Sequence, residues 1–374
     1  MSSTPKLFQP VKVGDVTLKH RVVFAPLTRF RVSERGHVPL PNVKEYYAQR
    51  ASEPGTLLIS EAVFVSPQAG GYWHVPGIWS DEQIKAWKEV ADRVHAEGSF
   101  IFMQIWGLGR AAQVDQLKEE NPSYDYVSSS DVKLTGHEET PRPLTVPEIK
   151  QYVQWFATGA RNAVERAGFD GVEIHGANGY LIDQFSQDVT NKRTDEYGGS
   201  IENRARFGLE VVDAVVAAIG AKKVGIRLSP WNQFQEMRME DPIPQFTYFV
   251  KELKARHPDF AYIHLVEPRV VGTENRDEKD IDPREQNDFL REIWAPKPFI
   301  SAGGYNRELA LKIAEEKGDL IAFGRFFISN PDLPRRLKDD IPLTPYNRAT
   351  FYLKGDSSPT GYTDYPFATE KVAN

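Results

Sequence analysis

His175, Asn178 and Tyr180 fall within six positions of the stretch "VEIHGANGYLIDQF" (172–185), where an apolar run of strand character ends on polar groups. His175 and Asn178 lie three positions apart as the chain breaks into an Asn178-Gly179 turn, a dipeptide that favours reversal. Both side chains can then aim at one point. Two donors converging on a carbonyl oxygen form an oxyanion hole, which stabilises developing enolate charge more than it stabilises the neutral carbonyl. Tyr180 adds a phenol, which with an unperturbed pKa of ~10 keeps its proton at neutral pH and can act as a general acid. By residue type alone the same three side chains read equally as a core histidine, a turn former and a packed aromatic.

Such groups need a scaffold that brings strand ends together. Eight β-rich apolar runs recur along the chain: 22–28, 56–65, 100–107, 171–177, 224–230, 262–268, 298–304 and 320–327. Near-continuous hydrophobic runs of this kind fit strands buried on both faces, as in parallel sheets. Helices with readable starts lie between them, capped by Ser80 with Gln83, Thr145 with Glu148, Ser200 and Asn306, and ended by Gly168, Gly220 and Gly318. Strand and helix alternate without a linker, which predicts an α/β fold of the closed (β/α)8 TIM barrel type, residues 1–374 forming one domain. A prior of about 150 residues per domain would instead allow two. Residues 7–18 read as a short hairpin turning at Gly14-Asp15 and closing the barrel floor. The long segments after strands three and six, 107–144 and 269–288, are candidate lids, although the charged 269–288 also reads as a solvated surface excursion.

Composition narrows the chemistry. The 46 basic and 52 acidic side chains leave a net charge of −6, so no broad cationic face for nucleic acid or anionic lipid is expected. With no cysteine, disulfides, thiolate metal sites, iron–sulfur clusters and a cysteine nucleophile are excluded. The N-terminal stretch shows no signal-peptide pattern and no run is long enough to span a bilayer, so a cytoplasmic protein, monomer or homodimer, acting on a small molecule is expected.

In a (β/α)8 barrel the carboxyl ends of the strands converge on the mouth. Polar residues there are Thr28, Glu61, Gln104, His175 with Asn178, Arg227, Glu267, Gly303-Gly304 and Gly324-Arg325. No metal-ligand spacing, nucleophile elbow or Walker loop is present, and no metal site is expected. Glycines after strands seven and eight let backbone N–H groups approach an anion, and Arg325 supplies a fork of donors, so a phosphorylated ligand is expected at Gly303, Gly304, Gly324 and Arg325. Arg227 alternatively forms a buried ion pair with Glu61 or Glu267. "GLGRAA" (107–112) matches a dinucleotide fingerprint after a strand, but the residues that follow show no amphipathic helix, which argues against a separate nicotinamide domain. A phosphate-binding lyase or isomerase with His175 as base remains a second reading, weakened by the lack of a lysine at any strand end.

"HGANGYLIDQF" (175–185), "NKRTDEYGGSIENRARF" (191–207), "FAPLTR" (24–29), "QIWGLGR" (104–110), "HLVEPR" (264–269) and "FGRFFISNPDLPRRL" (323–337) together resemble the Old Yellow Enzyme family of flavin-dependent ene-reductases. The resemblance covers nearly the whole chain. It implies a barrel with tightly bound FMN, reduced by NADPH or NADH, that reduces an activated alkene. It assigns Pro26, Leu27, Thr28, Ala62, Gln104, His175 and Arg227 to the flavin, with Thr28 at the O4 edge, Gln104 at the pyrimidine edge and Arg227 near N1 and the C2 carbonyl. Trp106 and Tyr352 match substrate-lining positions beside His175, Asn178 and Tyr180, with Tyr72, Trp73 and Phe30 as further aromatic candidates. An FMN-binding barrel without a physiological reductase role is the third reading.

Overall fold

The computed structural model describes residues 4–369. Eight parallel strands pair in chain order: β1 (Val22–Phe24), β2 (Leu57–Ile59), β3 (Phe100–Trp106), β4 (Gly171–Gly176), β5 (Val224–Leu228), β6 (Tyr262–Val266), β7 (Phe299–Ala302) and β8 (Leu320–Phe323). β8 pairs with β1 through Ala322 opposite Val23, which closes the barrel. A barrel helix follows each strand, in order α1 (Val43–Arg50), α2 (Asp81–Ala96), α3 (Val146–Arg161), α4 (Ile201–Ile219), α5 (Ile243–Arg256), α6 (Asp288–Trp294), α7 (Arg307–Lys317) and α8 (Leu333–Asp339), with short extra helices after the third, fourth and eighth strands. Among the described residues no helix is long and apolar enough to cross a membrane.

The expected caps are made. Ser80 and Thr145 each accept the N–H three residues on within a reciprocal capping box, and Ser200 and Asn306 accept from Asn203 and Leu309. A cap of this kind contributes about 1 kcal/mol to its helix. Helix α2 then buries Ile84, Trp87, Val90, Ala91 and Val94 on one stripe, as its 3.6-residue period dictates.

Two expectations change. The second apolar run is not one strand: the chain leaves the ladder at Ser60, and Val63–Phe64 rejoins opposite Ile105 and Trp106. The Ser60 hydroxyl takes over there, accepting the Gln104 N–H at 3.1 Å. After "GLGRAA" a short helix, Val114–Glu120, does form, contrary to the sequence reading. Only Leu117 of it is buried and its N-cap Gln113 makes no side-chain bond, which is why the pattern looked non-helical.

Alternation along the strands divides the barrel interior into two unlike halves. On β1, β2, β7 and β8 the inward residues are Val23, Leu57, Ile59, Ile300, Ala302, Leu320 and Ala322, packed with Phe102 and Tyr262 over the hairpin residues Val13, Val16 and Leu18. Burying each large side chain of this kind contributes ~1.5–3 kcal/mol. On β3 to β6 the inward residues are Gln104, Glu173, His175, Arg227 and His264; Gln104 lies opposite Glu173, and Arg227 opposite both His175 and His264. Gly225 makes room below them, since a Cβ there would lie 2.3 Å from the Tyr262 ring.

The C-terminal segment folds back over the start of the barrel. Arg29 donates to the Gly361 carbonyl at 2.8 Å and Arg50 to that of Tyr362 at 3.0 Å, while Arg31 pairs with Asp356 at 2.9 Å. The Tyr362 ring stacks on Tyr46 at 4.0 Å, so three buried guanidinium groups lie among aromatic faces and carbonyls instead of facing one another unscreened.

Candidate active site

Cavities of about 350 and about 470 Å³ open at the carboxyl ends of the strands and share Pro26, Leu27, Arg227, Val270, Gly303 and Tyr352 in their walls, so they form one elongated cleft.

The smaller end is lined by Gly303, Gly304, Gly324 and Arg325, the four residues expected to meet a phosphate. Gly303 adopts φ +122°, a conformation open to glycine alone, and its carbonyl accepts Arg269 Nε at 3.1 Å and Nη2 at 2.9 Å. Arg325 donates to Asn275 and lies over the Tyr346 ring at 5.5 Å. Arg348, which the sequence reading missed, adds a second guanidinium to this end and pairs with Glu274 at 2.6 Å. The first part of the segment 269–288 is therefore a wall: Val270–Val271 and Glu274–Asn275 form a small hairpin, and Val270, Gly272 and Thr273 line both cavities, while Asp277, Lys279, Asp280, Pro283 and Arg284 further on are exposed, as a surface excursion would be.

The larger end brings together Thr28, Ala62, Gln104, Trp106, His175, Asn178, Tyr180, Arg227 and Tyr352, with Tyr72 and Phe30 beside them. Trp73 does not line it. Tyr352 stands at the rim, 48% exposed, its ring edge-on to Phe30 at 5.8 Å. Glu61 and Glu267, read from the sequence as mouth residues, also lie outside the cleft walls. Glu61 turns toward the Arg29 N–H and Tyr47, and Glu267 accepts from Ser301 at 2.6 Å and approaches Arg291 at 3.8 Å. Neither pairs with Arg227, whose buried counter-charge is Glu173.

His175 sits between Trp106, stacked at 5.7 Å and 10°, and Tyr180, edge-on at 4.9 Å. Burial, Arg227 and His264 hold its pKa well below the usual histidine value, so the ring is neutral. Its Nδ1 accepts the Ala177 N–H at 3.3 Å, which leaves the proton on Nε2, a donor with no partner among the described residues. Asn178 occupies the left-handed region at φ +58°, which asparagine tolerates better than most residues. Its N–H, carbonyl and Oδ1 are taken by Ser229, Gln235 and Asn232, leaving Nδ2 as its remaining polar group. Burial, with Tyr72 and Tyr352 nearby, raises the Tyr180 phenol well above its ordinary value, so it keeps its proton.

Beneath them Glu173 accepts Gln104 Nε2 at 2.7 Å and His264 Nδ1 at 2.8 Å. Burial alone would raise this carboxyl, but hydrogen bonds from His264 and Gln104 and the charge of Arg227 hold it below the usual range. A carboxylate only accepts, so it fixes the Gln104 amide with Nε2 inward and Oε1 left for the cleft. Arg227 Nε is fully buried without a partner, and the Thr28 hydroxyl makes no hydrogen bond among the described residues. An amide, a hydroxyl and an unpaired guanidinium N–H at one end, with glycines and two arginines at the other, fit a heteroaromatic ring carrying a phosphate. No lysine lines either cavity, so Schiff-base chemistry has no nucleophile here.

A (β/α)8 barrel with a cleft of this kind has room and donors for a flavin nucleotide, and similarity to known proteins agrees with that class. A sequence profile of the NADH:flavin oxidoreductase / NADH oxidase family matches residues 6–344. The chain is 52% identical to chanoclavine-I aldehyde reductase fgaOx3 of Penicillium roqueforti, over 98% of this chain and 97% of that one. It is 49% identical to a Claviceps fusiformis protein described as the probable inactive dehydrogenase easA, over 98% and 96%. Old Yellow Enzyme from Pichia sp. AKU4542 superposes with a TM-score of 0.88 at 40% identity, covering 99% of this chain and 95% of that one. The chain belongs to this family of flavin oxidoreductases, in its Old Yellow Enzyme branch, and FMN is its cofactor.

The residues that sequence reading missed, Glu173, His264, Ser229, Asn232, Gln235 and Arg348, surround the expected ones. Their signal was weak: Glu173 and His264 are single polar residues inside apolar runs, and the polar cluster "SPWNQFQ" (229–235) follows a strand end without a motif.

Proposed function

We propose that this protein is an ene-reductase that takes hydride from NADPH, or less readily NADH, and reduces the C=C bond of α,β-unsaturated carbonyl compounds. One observation supports this above others: the free donors of His175 and Asn178 border the same cavity as the protonated Tyr180. Bound FMN would supply the chemistry the side chains lack, accepting hydride and passing it from N5 to the alkene Cβ. Thr28, Gln104 and Arg227, with Pro26, Leu27 and Ala62, would hold its ring, and Gly303, Gly304, Gly324 and Arg325 its phosphate. His175 Nε2 and Asn178 Nδ2 bind the substrate carbonyl oxygen and stabilise the charge that grows on it. Tyr180 delivers its proton to Cα. Trp106 and Tyr352 would confine a flat substrate beside the bound flavin, and Arg227 would favour its reduced form by offsetting negative charge. Residues 1–374 act as one cytoplasmic barrel domain, as monomer or homodimer.

The Claviceps fusiformis relative's description favours one competing reading, a barrel that binds FMN without a reductase role. Anaerobic titration separates the two. NADPH should bleach the yellow protein and cyclohexenone should restore its colour; bleaching without recovery by any enone, quinone or nitroalkene would support the competing reading. Tyr180→Phe should slow reoxidation by cyclohexenone about 10²–10⁴-fold and leave reduction by NADPH nearly unchanged. Equal slowing of both half-reactions would remove Tyr180 as proton donor.

A further inference from the structure

An asparagine carboxamide has two rotations that place its nitrogen and oxygen oppositely, and only one of them offers the cleft a donor. At Asn178 the loop between β5 and α5 decides which. Ser229 Oγ accepts the Asn178 N–H at 2.8 Å, and Gln235 Nε2 donates to the Asn178 carbonyl at 2.7 Å. Asn232 Nδ2 donates to Asn178 Oδ1 at 2.8 Å. The orientation of Asn232 is itself fixed by a group that cannot be reversed, since its Oδ1 accepts the Phe234 backbone N–H at 2.9 Å and a backbone N–H only donates. Constraint therefore passes from Phe234 through Asn232 to Asn178. Asn232 is buried, 3% exposed, and does not line the cleft.

Resting on the ene-reductase reading, we propose that Asn232 is a positioning residue that locks the Asn178 carboxamide with Nδ2, not Oδ1, toward the substrate oxygen. The lock selects ligands that present an acceptor at that point, a carbonyl or nitro oxygen, over those that present an N–H. It also removes a cost: a free amide would spend part of its time with a lone pair facing the growing negative charge, and the donor would have to be reoriented as the reaction proceeds.

Asn232→Asp tests the lock because it keeps size and shape while reversing the demand. One aspartate oxygen still accepts the Phe234 N–H, and the other requires a donor from Asn178, so the amide turns over and shows Oδ1 to the substrate. Asn232→Ala merely releases the amide. With photoreduced holoprotein, reoxidation by cyclohexenone should fall about 100-fold in Asn232→Asp and about tenfold or less in Asn232→Ala, so the closer isostere is the poorer enzyme. Reoxidation by dioxygen, which needs neither donor, should stay within about twofold in both. In an Asn178→Ala background Asn232→Asp should add less than about twofold, because the group it acts through is gone. An alanine variant as slow as the aspartate one, or a full aspartate effect without the Asn178 side chain, overturns the proposal.

Binding of 4-nitrophenolate, a flat ring bearing an oxyanion, gives a second arm that needs no turnover and survives if Asn232→Asp does not fold. Calorimetry should show it about three- to tenfold weaker in Asn232→Ala, a fraction of what loss of one charge-assisted donor costs. Unchanged affinity would count against the lock. If reduced wild-type protein is not reoxidised by any enone, the ene-reductase reading fails, while the phenolate arm still decides the role of Asn232.

Discussion

Glu173 and Glu61 are both buried carboxyl groups, at 0% and 1% exposure, yet the barrel shifts their pKa values in opposite directions. Glu173 belongs to the polar half of the interior, where His264 and Gln104 donate to it and Arg227 faces it, and it stays ionised. Glu61 lies beyond β2, at the end of the apolar half. There burial outweighs a 3.5 Å bond from the Arg29 N–H and pushes its pKa up to about 7. Depth alone does not set the charge of a buried acid; its donors and counter-charges do. The two halves of one lumen thus do different work, one keeping a compensated charge beneath the larger end of the cleft and the other supplying packing.

The largest test of that contrast is Glu173→Gln. The amide is isosteric but keeps one acceptor where the carboxylate has two, so it removes the charge facing Arg227 and one of the hydrogen bonds from Gln104 and His264. Leaving that half-buried guanidinium, which borders the cleft, without its counter-charge should cost roughly 1–3 kcal/mol, read as a lower denaturation midpoint of the apoprotein. A loss below about 1 kcal/mol would mean that Arg227 does not depend on Glu173.

Glu61→Gln should act with the opposite sign. The native pKa of Glu61 lies above that of an unfolded chain, so its contribution is present at acid pH and lost as pH rises through about 7. At pH 8 the variant should therefore unfold at a higher temperature than wild type, by up to about 3 kcal/mol of stability, with little difference at pH 5. Equal effects at both pH values would show that Glu61 does not titrate in this window. Ile59→Val, in the apolar half, should cost only about 0.5–1.5 kcal/mol and leave the flavin absorbance spectrum unmoved. A spectral shift would show that this half also reaches the ring.

All eight strands were legible because parallel strands covered on both faces leave near-continuous apolar runs, and α2, α3, α4 and α7 because their caps are local; α1, α5, α6 and α8 start without a side-chain cap and left no such signal. The break at Ser60 was not, since it depends on a hydroxyl replacing a ladder acceptor across to Gln104. The positions of His175, Asn178 and Tyr180 followed from a motif within one strand end. The orientation of the Asn178 carboxamide did not, because it is set from Ser229, Asn232 and Gln235, more than 50 residues away. Alternation distinguishes the faces of a strand but not which face is lumen when both are buried, so Glu173 and His264 passed as ordinary strand residues. The same ambiguity made Glu61 and Glu267 look like mouth residues.

The arginine clamp on the C-terminal segment has a consequence for how the protein is made. Phe351 and Tyr352 enter the cleft wall on a segment, 351–362, that Arg29, Arg31 and Arg50 tie back to the first barrel elements. β1 likewise waits for β8, some 300 residues later, before its second edge is covered. The barrel can therefore close, and its cleft be completed, only once the chain through Tyr362 is available to pack against its first elements.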